Sequence, residues 1–220
     1  MRIVDLTIPL GAETAQFHPP HHPDFELKTF GPKFLRLSRI SLSIHTGTHI
    51  ECPLHILPDK SSVTDIPLER FIGEGVKLDL SEGLDPGYAI SASDLKAALP
   101  ENVSLEGKIC LIHTGWYAQE PKMPGFLYNG PYLAEEAGRW LVTKKIKALG
   151  VDFEIDHQGA NLSIDHFKVH RLLFEAGIPL LEFLNQWVGT LPASGFQVVA
   201  LPLPLAGSEG SPTRAVAILP

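Results

Sequence analysis

Apolar and polar positions alternate with a period of two in several short stretches of this chain. The cleanest stretch lies just before a histidine-rich segment: Ile40, Leu42 and Ile44 share one parity, and Ser41, Ser43 and His45 share the other. That is the pattern of a strand with one buried face. Similar short apolar runs predict strands over residues 3–8, 38–45, 75–80, 109–113, 148–152, 179–184, 197–203 and 215–219. Helical periodicity is rarer. Leu133, Ala137, Trp140 and Leu141 fall at i, i+4, i+7 and i+8, one apolar stripe on a helix over 132–147. Gly138 weakens that helix by about 1 kcal/mol relative to alanine without abolishing it. Ser91-Ala92-Ser93-Asp94 has the spacing of a capping box leading into 95–99, and Pro100 stops the helix there. A third helix over 167–176 would end with Gly177 at its C′ position. Strands outnumber helices and alternate with them irregularly, which predicts an α/β fold with a mixed sheet and few helices rather than a doubly wound one. For 220 residues without internal repeats, a single domain spanning 1–220 is expected.

The segment that follows the alternating strand reads His45-Thr46-Gly47-Thr48-His49-Ile50-Glu51-Cys52-Pro53-Leu54-His55. Every metal-competent nitrogen or carboxylate in it has odd parity, at 45, 49, 51 and 55. In an extended chain these four would project onto one face. Imidazole and carboxylate are the usual ligands of a catalytic divalent ion, and a further polar group nearby suits proton transfer. Gly47 would let the backbone bend so that the two imidazoles flanking it converge. Pro53 fixes its own φ and biases Cys52 towards extended geometry, keeping Glu51 and His55 in register. Cys52 has the opposite parity, so a Cys52–His55 nucleophilic pair is not expected. Neither Ser43 nor Ser211 lies in a nucleophile elbow.

Composition removes several function classes. A formal net charge of −7 leaves no basic stripe for nucleic acid. No apolar run is long enough to span a bilayer. Residues 1–7 enter a strand-like pattern directly, with Asp5 where a secretory signal needs an apolar stretch, so the expected compartment is the cytoplasm. Two cysteines, Cys52 and Cys110, make no disulfide framework and are expected to be reduced.

Two more residues stand out further along. Glu182 lies in an apolar run between Leu180, Leu181, Phe183 and Leu184. It either faces outward on its strand or is buried beside a cation or partner, because an unpaired buried carboxylate is costly. His170, on the third helix, reads either as a surface or capping histidine or as a ligand. Near the N-terminus, Phe17 has His18, His21 and His22 beside it in a Pro-rich stretch. That stretch reads as a solvated loop or as contacts to a substrate carboxylate or a metal.

Taken in order, these motifs resemble the metal-dependent cyclase family, which includes bacterial kynurenine formamidases and isatin hydrolases. The resemblance begins at Val4-Asp5-Leu6-Thr7-Ile8-Pro9-Leu10 and is most specific in His-x-Gly-Thr-His-x-acid-x-Pro-x-His. It continues through Ile66-Pro67-Leu68-Glu69, Leu111-Ile112-His113-Thr114-Gly115-Trp116, Glu135-Glu136-Ala137 with Trp140-Leu141, and His170 to Glu182. It closes on Gly207-Ser208-Glu209-Gly210-Ser211-Pro212-Thr213-Arg214-Ala215. It implies a cyclase-type, swivelling β/β/α-like architecture. It also implies a first divalent metal on His45, His49 and Glu51, a second on His170, and Glu182 bridging both. His55 becomes the proton donor and acceptor, and Phe17 a substrate-binding residue. The implied reaction is hydrolysis of an amide-type C–N bond in a formamide. A lactam hydrolase, a metal-dependent dehydratase and a non-catalytic metal-binding module are the alternatives.

Two positions depart from the family pattern. Glu51 stands where the family has aspartate, leaving open zinc or manganese and one ion or two. Phe17 stands where formamidases carry tryptophan. The implied partners are a small-molecule substrate and further copies of the chain, as a homodimer or homotetramer. The loop at 207–214 is expected to turn a hairpin and to wall the site.

Overall fold

A run such as Ile109-Cys110-Leu111-Ile112 can be apolar at every position only if both faces of its strand are covered. In the computed structural model, which describes residues 1–12, 14, 23, 25–118, 128–157 and 163–220, this run is fully buried at the centre of a nine-stranded sheet. The strands in chain order are β1 (Arg2–Asp5), β2 (Glu26–Phe30), β3 (Leu37–Ser41), β4 (His49–Glu51), β5 (Ile72–Asp79), β6 (Ala89–Ile90) and β7 (Ile109–His113). They continue as β8 (Tyr132–Leu133), β9 (Ala148–Val151), β10 (Leu180–Glu182), β11 (Phe196–Val199), β12 (Gly210–Pro212) and β13 (Val216–Leu219). The helices are α1 (Ala92–Ala98), α2 (Glu135–Thr143) and α3 (Lys168–Glu175).

The large sheet runs β1-β13-β11-β5-β7-β9-β10-β4-β12. Its middle, β5, β7, β9 and β10, is parallel. Every pairing outside that middle is antiparallel. Cys110 and Ile112 pack with Val76, Leu78, Leu149 and Val151 against Leu95, Leu141 and Leu173 of the three helices. Ile109 and Leu111 face the other way, towards Ile50, Leu181, Val198 and Ala217, which belong to the sheet's own flanks. The sheet therefore curls its antiparallel ends over its second face. Asn185, just past β10, stitches that closure: its amide donates to the Leu6 carbonyl, and its side chain donates to the Asp5 and Thr7 carbonyls.

Local chemistry sets the helix ends. Ser91 Oγ accepts from the Asp94 amide while the Asp94 carboxylate accepts from the Ser91 amide, the capping box anticipated for α1. Gly177, at φ +67°, follows α3 as its C′ residue. The Gly177 and Ile178 amides return to the Phe174 and Leu173 carbonyls, a Schellman closure. Among the described residues no helix is long and apolar enough to cross a membrane.

Three expectations change. The strand expected over 38–45 stops at Ser41 and pairs only with β2, in a separate two-stranded hairpin. Leu27, Phe30, Leu37 and Ile40 are exposed on it, so its alternation marks no core face. The helix expected over 132–147 opens with two strand residues, Tyr132 and Leu133, and closes at Thr143, just before Lys145 adopts φ +51°. The loop at 207–214 contains β12, which pairs with β4 as the sheet's edge strand.

Gly75 sits opposite Phe196 across β5 and β11, and a Cβ there would lie 2.1 Å from the Phe196 ring. Gly75→Ala is expected to lower the unfolding free energy by about 1–3 kcal/mol through overpacking. Urea denaturation with an unchanged midpoint would contradict this packing.

Candidate metal centre

The histidine segment is not one continuous strand. After Ser41 the chain leaves the hairpin and turns through 44–48, with Gly47 at φ +64°. A Cβ on Gly47 would meet the Leu10 side chain at 2.8 Å, so glycine is required there for both its conformation and its size. Thr48 fastens the turn, accepting from the Ile8 amide and donating to the Phe183 carbonyl. Phe183 itself takes φ +54°, a left-handed conformation unusual for a bulky side chain, immediately after Glu182.

β4 then runs between β10 and β12. Its register places His49 directly opposite Glu182. Ile50 points into the core, so His49 and Glu51 share the other face. Pro53 opens a 3-10 turn over Pro53–His55, which carries His55 back to within 3.7 Å of Glu51. The parity expectation therefore holds for His49 and Glu51. His45 and His55 reach the same place through a glycine turn and a proline-initiated turn, because neither flank continues the strand.

Glu51 is the hub. Its Oε1 lies 2.6 Å from His45 Nδ1 and 3.1 Å from His49 Nε2, while its Oε2 lies 3.0 Å from His170 Nε2. Glutamate's extra methylene thus does not stop one carboxylate from facing two groups of ligands. Glu182 approaches from across the strand pair, 3.9 Å from His49 Nε2 and 3.5 Å from His170 Nε2. All five residues expected to hold a metal, together with His55, are brought together.

Three imidazoles are held from behind. His49 Nδ1 donates to the Gly47 carbonyl at 2.8 Å. His170 Nδ1 donates to Asp156 at 2.7 Å, and Asp156 also accepts the Val169 and His170 amides at the start of α3. His45 Nε2 faces Glu209 at 3.4 Å. With the outer nitrogens so engaged, the inner ones turn towards Glu51, the arrangement in which a second ring of acceptors orients metal-binding histidines. His45 Nδ1 and His49 Nε2 stand 3.2 Å apart, close enough to share a proton or to face one cation. Glu182 Oε1 is buried with no hydrogen-bond partner among the described residues, a sign of an acceptor awaiting a cation. Three overlapping groups, His45–Glu51–His55, His49–Glu51–Glu182 and Glu154–His170–Glu182, each have ligand atoms within 4.8 Å of one another. The residues fit a divalent ion.

The charges agree. Burial would raise the Glu51 carboxyl, but His55, His45 and the His170 hydrogen bond outweigh it and hold the group well below the usual carboxylate range. Burial would lower His45, yet Glu51 and Glu209 raise it to about 10. His170 is raised well above its ordinary value against the same opposing burial, through Asp156, Glu182 and Glu51. Burial, then repulsion from Glu51, raises Glu182. The cluster is short of positive charge, and in the bare chain protons on imidazoles supply it. His55 differs. Burial pushes it down to about 4, and its side chain, 21% exposed, is the least covered of the four imidazoles. Phe167 stands edge-on to it and to His170, with ring centroids 6.0 and 5.3 Å away.

Cys52 is not part of the site. Its thiol donates to the Glu209 carbonyl, and burial pushes it up to about 12. Ser43 accepts the His45 amide within the turn, and Ser211 is engaged with the backbone of Leu203 and Pro212. Phe17, His18, His21 and His22 lie outside the described residues. Three contributors were not anticipated as such: Glu154, Asp156 and Glu209. A signal existed for the first two, since Asp152-Phe153-Glu154-Ile155-Asp156 alternates acid and apolar directly after a strand. Glu209 lies in the loop expected to wall the site, but nothing in its Gly/Ser/Pro-rich stretch singled out the residue itself.

The site now has known counterparts. Kynurenine formamidase of Bacillus cytotoxicus is 28% identical over 219 residues, covering 97% of this chain and 95% of the relative. Isatin hydrolase A from Labrenzia aggregata superposes with a TM-score of 0.85 at 26% identity, covering 99% of this chain and 93% of that one. A solved structure described as a potential metal-dependent hydrolase with cyclase activity gives a TM-score of 0.78 at 25% identity, covering 98% of each chain. The Cyclase family model matches residues 4–157, and this chain belongs to the Cyclase family.

Proposed function

We propose that this chain is a metal-dependent hydrolase that cleaves an amide-type C–N bond in a small molecule, with His55 as the proton donor and acceptor. The observation that carries the reading is the convergence of back-braced imidazoles on a buried, shared carboxylate, with His55, unbraced among the described residues, beside them. His45, His49 and Glu51 would hold a first ion, and His170 with Glu51 and Glu182 would hold a second. A nitrogen and oxygen donor set without thiolate suits zinc or manganese. A divalent ion there supplies Lewis acidity and lowers the pKa of water from about 15.7 towards about 7.

The chain's own residues do the rest. Neutral His55 accepts a proton from the attacking water, and Glu51, 3.7 Å away, stabilises the resulting imidazolium. His55 then returns that proton to the departing nitrogen as the C–N bond breaks. The Phe167 ring beside His55 gives this mouth an apolar wall that suits a flat aryl group. The formamidase relatives favour an aryl formamide as substrate. The fold likeness to an isatin hydrolase favours a lactam as the second reading. The buried, unpaired thiols of Cys52 and Cys110 support a cytoplasmic location. The exposed apolar residues Leu27, Phe30, Phe34, Leu37 and Ile40 support a homodimer or homotetramer, because a two-stranded hairpin is marginal alone and such patches mark interfaces.

His49→Ala is expected to lose both bound metal and turnover. EDTA-treated wild type should regain activity on adding zinc or manganese, assayed by product release from an aryl formamide and from isatin. Full turnover by metal-free protein would remove the reading, and metal-dependent stabilisation without product would leave a binding module. His55→Ala should keep its metal but lose about 10²–10⁴-fold in kcat; unchanged kcat would reassign the proton transfer. Phe34→Ser with Ile40→Ser should shift the mass in light scattering towards a monomer, and an unaltered oligomer would exclude the hairpin as its contact.

A further inference from the structure

One carboxylate of the centre, Glu154, has been given no role so far. Past the end of β9, residues 152–156 run acid, apolar, acid, apolar, acid. Phe153 and Ile155 are buried in the helix-side core, and all three acids are buried as well. The outer two are saturated with donors. Asp152 accepts from His113 Nδ1, the Thr114 amide and hydroxyl, and the Gly115 amide. Asp156 accepts the Val169 and His170 amides, near the start of α3, and the His170 ring. Glu154, between them and only 7% exposed, lies in the group it forms with His170 Nε2 and Glu182.

We propose that Glu154 is a ligand of a second divalent ion, completing an oxygen-rich position with His170, Glu182 and Glu51 that takes a hard ion of the manganese(II) class. This rests on the metal-centre reading above and adds to it a ligand and a metal preference. The two positions differ in chemistry. The first has two imidazoles, His45 and His49, and carboxylates. The second has one imidazole and as many as three carboxylates, a set that favours manganese over softer ions.

Two further observations point to an ion there. Glu182 Oε1, within this group, is buried without a hydrogen-bond partner among the described residues. Charge balance is the other. When ionised, Glu51, Glu154 and Glu182 bring three negative charges into a buried space, and an uncompensated buried charge is costly. One divalent ion leaves a net negative charge on that set. Two leave a single positive charge, which draws in an anionic nucleophile or a substrate carboxylate.

The test is a manganese(II) titration of metal-free protein, followed by electron paramagnetic resonance of free and bound ion and by elemental analysis. Wild type should bind two ions per chain and give the signal of a magnetically coupled pair. Glu154→Gln should bind one, with an uncoupled signal and a second-ion affinity at least tenfold weaker. Glu154→Asp, which keeps the charge but draws the oxygen back, should fall between them and serves if the glutamine variant does not fold. Two coupled ions in Glu154→Gln at wild-type affinity would overturn the role of Glu154 and leave the hydrolase reading standing. A single ion in wild type would overturn the second position. No bound ion in wild type, with either manganese or zinc, would overturn both this proposal and the metal-centre reading.

Discussion

The constraint that organises this molecule is a carboxylate buried where water cannot solvate it. Glu51 is only 2% exposed, and four imidazoles and a second carboxylate crowd its two oxygens. Such a group is tolerable only if positive charge is brought to it, as imidazolium protons or as metal ions. Much of the surrounding architecture follows from that requirement. The Gly47 turn, the Thr48 anchor, the left-handed Phe183 and the Asp156 cap of α3 each hold one ligand at the angle that Glu51 needs.

The sheet supplies the rigidity. β4 is three residues long, yet it is clamped between β10 and β12 and tied to the N-terminal segment through Thr48. The His49–Glu182 pair is a register pair, set by backbone hydrogen bonds rather than by side-chain reach. The curl that brings the sheet's antiparallel flanks over its second face also stacks Ile50 and Leu181 beneath the site. The apolar layer therefore fixes the polar one.

How much of this was legible in the sequence depends on how local each feature is. The cluster from His45 to His55 lies within one short segment, so its residue types and spacing announced it, although the parity argument misjudged the route taken by His45 and His55. Gly47 was read correctly as a bend, whereas Pro53 was read as holding an extended register and instead opens a 3-10 turn. Glu182 showed as an acid inside an apolar run, but its partner could not be read, because strand register across distant segments is a tertiary property. Alternation at 40–44 looked like a core face, yet the strand ends at Ser41 in an exposed hairpin, since period two reports a strand and not what covers it. The acids at 154 and 156 fell just past the expected strand end, where the alternation was not followed. Glu209 acts from just before an edge strand hidden in turn-forming residues.

The ligands span the chain. Glu51 and His170 are 119 residues apart in sequence and 3.0 Å apart in space, with Glu182 further on. An ion held between them is a cross-link that closes a very long loop, and such clips stabilise chiefly by restricting the unfolded chain. The cage cannot exist until β10 has been synthesised and docked, so loading belongs to the folded body and not to the emerging chain. Because the imidazoles are already braced from behind, the ion would meet a site that has little left to rearrange, and its departure would loosen the seam between the two halves of the chain.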